Sequence, residues 1–429
     1  MIARLLARVG LVTPEQRAWA WYDWANSVYF TTVITAVFPR FYATYAASGL
    51  DPAQATARFS LITTISVLVV ALISPILGAL ADYSGVKKRL LGIFMTIGVT
   101  SCALMVLIGE GDIMLASVLF FAGNIGVSGS TVFYDSLLPH VAKPDETDRV
   151  SSAGYMMGYI SGGVLLLLNL AWILKPELFG FASSVSAIRA SFVSVAIWWA
   201  AFSIPLFRHV PEPAVKARGD GGFAIGAAFR RLGQTLTEIR RYRNAFWLFV
   251  AMLLYQDGIQ TVIRMSSVYG AEVGIDQNAQ IAAFVMVQFV GIPCAYWFGT
   301  LGSRIGTKRC IYIGIGVFIV AAGLAYFMTN VTHFFVLAFL VATVMGGSQA
   351  LSRALFARMI PADRTSEFFG FYAVSERFAT VFGPALFFIS VTLTGSSKSA
   401  ILGIIGLFVA GALVLSKVDE AEGMRAAQS

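Results

Sequence analysis

Charged residues are scarce in this chain. Asp, Glu, Lys and Arg make up 13% of its 429 residues, about half the share of an ordinary soluble domain. With 57% hydrophobic residues and a mean hydropathy of +0.75, much of the surface must face lipid rather than water. Cysteine is nearly absent. Cys102, Cys294 and Cys310 form an odd, scattered set, which excludes a disulfide framework and a zinc cluster. The three histidines, His140, His209 and His333, stand alone near helix ends and read as ordinary loop residues. There is no Gly-x-x-x-x-Gly-Lys-Ser/Thr loop, no His-Glu-x-x-His and no Gly-x-Ser-x-Gly. Direct use of ATP and the usual metalloprotease and hydrolase chemistries therefore lack their residues. No enzyme activity, metal site or cofactor is expected.

Long apolar runs are what the chain does have. A spanning helix needs about 20 mostly apolar residues. Twelve such runs lie near 17–44, 59–82, 88–108, 112–139, 150–174, 186–207, 244–271, 279–302, 308–329, 333–359, 367–394 and 398–416. The expected fold is an all-α integral membrane protein of twelve transmembrane helices. The net charge of +8 does not point to nucleic acid, because the basic residues sit between the apolar runs. One set of loops carries most of them, including Arg4, Arg8, Lys87, Lys88, Arg89, Lys143, Arg230, Arg231, Lys308 and Arg309. The other set has only Arg40, Arg58, Lys175 and Lys398, mixed with acids. Basic loops stay inside, so the first set and both termini are expected in the cytoplasm, around an inner-membrane protein.

The chain also repeats. Gly78 and Gly299, Leu80 and Leu301, Gly85 and Gly306, and Lys87 and Lys308 share one offset, 221. Each half thus has a basic hairpin at the same place, although Ser303 stands where the first hairpin has Asp82. The expected organisation is a six-helix bundle over 1–207, a cytoplasmic linker over 208–243 and a second six-helix bundle over 244–429. In the linker, Phe229, Leu232, Leu236 and Ile239 share one face of an amphipathic helix. Residues 2–9 read as a short in-plane helix on the inner leaflet, and Thr13-Pro14-Glu15-Gln16 as the boxed start of the first long helix. Gly154, Gly158 and Gly162, at every fourth residue, read as a close helix contact. Gly383-Pro384 reads as a kink.

Ionisable residues inside a membrane helix cost about 2.5–3.5 kcal/mol each, so they are functional candidates. The first run offers Tyr22, Asp23 and Asn26, and the seventh offers Tyr255, Gln256, Asp257, Gln260 and Arg264. Glu376 and Arg377 lie in the eleventh run. These are the candidate contacts to a small-molecule substrate. Asp257, Gln260, Thr261 and Arg264 follow helical spacing, and the two charges either hold each other or hold a zwitterion between them. Asp135 and Arg353, near the ends of the fourth and tenth runs, read as gate and packing charges. Arg189, close to the outer end of its run, can snorkel. Trp19 and Trp21 read as an interfacial belt.

The segment from Gly78 to Arg89 resembles the signature loop between the second and third helices of the major facilitator superfamily. Gly78, Asp82, Gly85, Lys87 and Lys88 match its pattern. Tyr22-Asp23-Trp24-Ala25-Asn26-Ser27, Asp257-Gly258-Ile259-Gln260-Thr261, and Gln349-Ala350-Leu351-Ser352-Arg353 followed by Glu367-Phe368-Phe369-Gly370 resemble one branch, the vacuole-effluxer-like family. The resemblance implies two pseudo-symmetric bundles, a substrate site near the midplane between them, and alternating access. It implies that Asp82 holds an outward-facing state by contact with the eleventh helix. It also implies efflux of amino acids by analogy with the eukaryotic member. The expected partners are a small polar solute, membrane lipids and a proton or other ion gradient, with no nucleic acid, and the protein reads as a monomer. A lipid or amphiphile mover of the same fold is the competing reading, and an intramembrane receptor or enzyme a third.

Overall fold

Thr13 opens the first long helix as its composition demands. Its hydroxyl accepts the Gln16 N–H at 3.2 Å while the Gln16 side chain accepts the Thr13 N–H at 3.2 Å, with Pro14 in the first turn. Two otherwise orphaned N–H groups are satisfied reciprocally. A computed structural model describes residues 6–50, 52–213, 242–378 and 398–428. Side chains at some helical positions, Arg264, Glu376 and Arg377 among them, lie outside the described residues, as do Gly383-Pro384 and the linker helix expected within 214–241.

We number the long helices α1 (Pro14–Val28), α2 (Pro52–Ser84), α3 (Lys87–Leu104), α4 (Ile113–Ser136), α5 (Thr147–Leu174), α6 (Ser184–His209), α7 (Arg243–Glu272), α8 (Gln277–Ile305), α9 (Thr307–Tyr326), α10 (Val331–Arg358), α11 (Thr365–Phe378) and α12 (Lys398–Ser416), with α13 (Glu420–Gln428) at the end. α1 is continuous with a π segment, Tyr29–Val37, a short α segment, Phe38–Phe41, and a second π segment, Tyr42–Ala46. Pro39 has no N–H to give to the preceding turn, and the ladder changes register on both sides of it. Among the described residues nine helices are long and apolar enough to cross a membrane. A tenth candidate is Ala400–Ser416 with the helix after it, bent by 65°. The remaining two expected runs are the one broken by π geometry and the one that continues past residue 378.

Two hairpins organise one end of the molecule. Gly85 and Gly306 turn them with φ of 64° and 98°, a conformation that side-chain-bearing residues rarely adopt. The two are not identical in length. α3 begins two residues after Gly85, and α9 begins directly after Gly306. The shared offset therefore slips by one, and Lys308 is matched in space by Lys88 rather than Lys87. Both send the ammonium to the last carbonyls of a neighbouring helix: Lys88 to Phe207 and Val210, Lys308 to Ser416 and Val418. Both also give the backbone N–H to a carboxylate, Glu212 at 3.0 Å and Glu420 at 2.6 Å. A carboxylate at a helix N-terminus is favoured by the helix dipole. Partial loss of hydration at Glu212 outweighs these N–H bonds and shifts its carboxyl upward.

The halves meet along α2 with α11 and along α5 with α8. Most of the apolar face of the in-plane helix expected over 2–9 lies outside the described residues; residues 6–8 are helical. Leu6 and Val9 are partly buried against the core that holds Leu11, and the Arg8 carbonyl accepts the Tyr296 hydroxyl of α8 at 3.3 Å. α13 packs at the same end, with Glu422 accepting from Asn244 at 3.0 Å.

Candidate functional site

Side chains from both halves converge at the hairpin end in three buried charge groups. In the first, Arg353 leaves α10 and enters the first half. It lies 3.3 Å from Asp23 Oδ2 of α1 and 3.0 Å from Asp135 Oδ1 of α4. The guanidinium also donates to the Ser151 hydroxyl at 2.9 Å and the Ser151 carbonyl at 3.0 Å. Aromatic faces surround it: Tyr155 at 4.6 Å, Trp19 at 4.9 Å and Tyr134 at 5.7 Å. The Tyr134 hydroxyl donates to Asp23 at 2.7 Å. The side chains of Arg353, Asp135 and Asp23 are 4%, 7% and 13% exposed, so the charges are compensated by one another rather than by water. Gly154 makes the approach possible: a Cβ there would lie 2.3 Å from Asp23 Oδ2.

In the second group, Asp82 caps α11. Its two oxygens accept the N–H groups of Ser366 at 3.1 Å and Glu367 at 2.7 Å. Lys87 pairs with Asp82 at 2.8 Å and donates to Thr365 at 2.5 Å. His140 Nε2 lies 3.2 Å from both Lys87 Nζ and Thr365 Oγ1, and Ser366 bonds Ser136 at 3.0 Å. Gly78 admits the α11 backbone, since a Cβ there would meet the Ser366 carbonyl at 2.1 Å.

The third group is the counterpart in the second half, with the carboxylate moved. Ser303 cannot cap α5, and its hydroxyl bonds back to Thr300 at 2.9 Å. Asp148, in the first turn of α5, reaches the other way. It accepts the Thr307 hydroxyl at 2.6 Å and pairs with Arg358 at 3.3 Å, while Arg358 also reaches Thr307. Each hairpin thus meets the first turn of a helix from the other half through a buried carboxylate, but the acid sits on the hairpin in one case and on the facing helix in the other.

The structure brings Tyr22, Asp23, Asp135 and Arg353 into one neighbourhood, with the Tyr22 and Tyr134 rings 5.0 Å apart. Gly78, Asp82, Gly85, Lys87 and Lys88 form the first hairpin contact. Tyr255, Gln256 and Asp257 are buried on α7, with the Tyr255 hydroxyl 2.6 Å from Ser352 on α10, the residue before Arg353. Among the described residues, neither amide atom of Gln256 has a hydrogen-bond partner. Asn26 is buried and Gln260 half-buried. Trp19 corrects the belt reading: it is fully buried, stacks on Tyr134 at 4.5 Å and donates to its carbonyl at 3.0 Å. Trp21 stacks on Phe202 at 5.5 Å. Arg189, near the outer end of its helix, donates to the Ile108 carbonyl and the Tyr45 hydroxyl. His140 is no ordinary loop residue. Its sequence context carried no signal of this, and neither did those of Ser151, Thr307 and Arg358. For Asp148 one existed: Thr147-Asp148 and Thr365-Ser366 open corresponding helices in the two halves.

Residues 52–428 match the family described as vacuole effluxer Atg22 like. The chain is 38% identical over 410 residues to an uncharacterized MFS-type transporter, YxiO, of Bacillus subtilis, covering 95% of each chain. It is 24% identical to autophagy-related protein 22 of Coccidioides immitis, over 77% of this chain and 67% of that one. Among solved structures it is similar to the human organic anion transporter MFSD10, with a TM-score of 0.72, 14% identity and coverage of 94% and 99%. It is also similar to a bacterial homologue of the iron transporter ferroportin in an outward-facing state, with a TM-score of 0.66, 15% identity and coverage of 95% and 99%.

Proposed function

The chain belongs to the Atg22-like vacuole effluxer family and is a transporter of the major facilitator type, and from that premise we propose that it exports a small polar solute of the amino-acid class by alternating access. The membrane is the inner membrane, the hairpin end faces the cytoplasm, and a proton gradient drives the cycle. The path of Arg353 carries this reading. A guanidinium anchored on one half and buried between two carboxylates of the other is a contact that must break for the halves to rock. Asp82 on α11 and Asp148 on Thr307 and Arg358 act in the same way, as latches of the state closed at the hairpin end.

The solute site lies deeper, on Tyr22, Asn26, Tyr255, Gln256, Asp257, Gln260, Arg264, Glu376 and Arg377, with Asp23 joining it when Arg353 withdraws. Gln256 supports this placement. A buried polar group without a partner costs about 1–3 kcal/mol, and a ligand that supplies the partner recovers it. The amino-acid class comes from the family description and the named fungal relatives.

The test is transport in proteoliposomes with labelled amino acids, with and without an imposed pH gradient. The expected result is gradient-stimulated transport of at least one of them, lost in Gln256→Ala with folding retained. No transport of any amino acid under either condition, by protein that is folded and transports another solute, would remove the substrate class.

A further inference from the structure

The outer face of the molecule carries a shallow, open groove between α3 and α6, and the transport reading does not use it. Arg89 stands at its hairpin end, and Gly92, Ile93, Thr96, Ile97 and Phe207 continue it. Gly92 sets its depth: a Cβ there would touch the Phe207 ring at 3.4 Å, so the ring lies over the bare backbone. The Thr96 hydroxyl is turned back onto the Gly92 carbonyl at 2.8 Å, which leaves the methyl group to the groove. Ile93 and Ile97 are 47% and 37% exposed. The walls are thus apolar, with one cation at one end.

The groove spans most of the depth of a lipid leaflet's hydrocarbon. From Arg89 to Ile97 is about 12 Å of helical rise, against about 15 Å for half of a bilayer's hydrocarbon core. The charges around Arg89 leave it available. Neighbouring Lys88 is held by the Phe207 and Val210 carbonyls, Glu212 accepts the Lys88 N–H, and Arg208 beside Phe207 is a second exposed cation. Among the described residues no carboxylate pairs with Arg89.

We propose that this groove is a binding site for one anionic glycerophospholipid, with its phosphate at Arg89 and an acyl chain along Gly92, Ile93 and Ile97. A basic residue at headgroup depth selects an anionic head, and the apolar channel below it accepts the chain. Because Arg89 follows Lys87 by two residues, the bound lipid braces the first turn of the helix whose Lys87 holds Asp82 and Thr365.

The full-length chain, purified in detergent, is titrated with phosphatidylglycerol or with phosphatidylcholine of the same acyl chains, and retained lipid is counted by native mass spectrometry. One phosphatidylglycerol should be retained at a concentration at least tenfold below that needed for phosphatidylcholine. Arg89→Gln should abolish that difference, and Gly92→Leu, which fills the groove, should lower retention of both lipids. Glycerol 3-phosphate, a headgroup without chains, should not compete. Equal retention of the two lipids by the unaltered protein, an unchanged preference in Arg89→Gln, or full competition by glycerol 3-phosphate would each overturn the site. If Gly92→Leu does not fold, the lipid comparison and Arg89→Gln decide alone.

Discussion

Arg353 shows how one side chain can be both an expense and a device. Removing one partner from a buried ion pair costs about 3–5 kcal/mol, because the remaining charge keeps its desolvation penalty. Arg353→Gln strips the guanidinium from Asp23 and Asp135 together. We expect it to lower the thermal unfolding midpoint in detergent and to abolish transport. Arg353→Lys keeps the charge but loses the planar fork that serves two carboxylates and Ser151 at once, so it should fall between. A midpoint unchanged in Arg353→Gln would show that the pairs contribute nothing to stability. Gly154→Ala tests the same cluster from its floor. The added carbon would lie 2.3 Å from Asp23 Oδ2 and 3.3 Å from Arg353 Nη2, so the pair must separate or α5 must shift. The expected outcome is a transport defect like that of Arg353→Lys, whereas Gly316→Ala, whose added carbon meets nothing within 4 Å, should be silent in the same assay.

At the scale of elements, the two hairpins solve one problem with different chemistry. The first turn of a helix presents unsatisfied N–H groups, and a carboxylate there is favoured by about 0.3–1 kcal/mol, up to about 2 when partly buried. Asp82 meets this need for α11 from across the interface. Asp82→Asn keeps the shape and loses the charge, and Lys87 loses its ion-pair partner. A change of about 1.4 kcal/mol shifts a balanced two-state equilibrium tenfold. Cysteine probes at the hairpin end should therefore become several-fold more reactive in Asp82→Asn. Identical accessibility would remove the latch. The other hairpin allows a transplant. Ser303→Asp alone should harm transport, because it adds a second carboxylate to the hairpin whose Thr307 already meets buried Asp148. Combined with Asp148→Ser it rebuilds the arrangement of the first hairpin, and transport should recover relative to either single variant. A double variant no better than the worse single one would show that the two hairpins are not interchangeable.

For the whole molecule, the charge asymmetry of the loops predicts which end faces the cytoplasm. Lys143 and Glu110 are exposed near opposite ends of α4. In a background without the three native cysteines, Glu110→Cys should react with an impermeant thiol reagent on intact cells, and Lys143→Cys should not. The reverse pattern would invert the topology and the direction proposed for transport.

The sequence by itself determined the solvent, the element type and the organisation of this chain. Scarce charge and runs of about 20 apolar residues leave backbone groups no partner but their own helix, so a helical membrane fold follows from composition alone. The repeated hairpins made the two halves legible, and the motif residues Asp82, Asp135 and Arg353 stood out because charge is costly where they lie. Only the tertiary structure decided which of these charges meet. Arg353 and Asp23 are separated by most of the chain, and no spacing rule connects them. His140 and Asp148 look ordinary in sequence because partners such as Thr365, for the first, and Thr307 and Arg358, for the second, come from the opposite half. Trp19 sits near a helix end, as interfacial tryptophans do, and only the packing of Tyr134 and Arg353 against it makes it interior. The one-residue slip between the hairpins was likewise invisible to a fixed offset, since turn length is set by where each helix finds its first partner, not by the repeat. Local rules govern what a segment becomes; contacts between distant segments govern which of its charges can be buried, and those exist only once the halves have closed on each other.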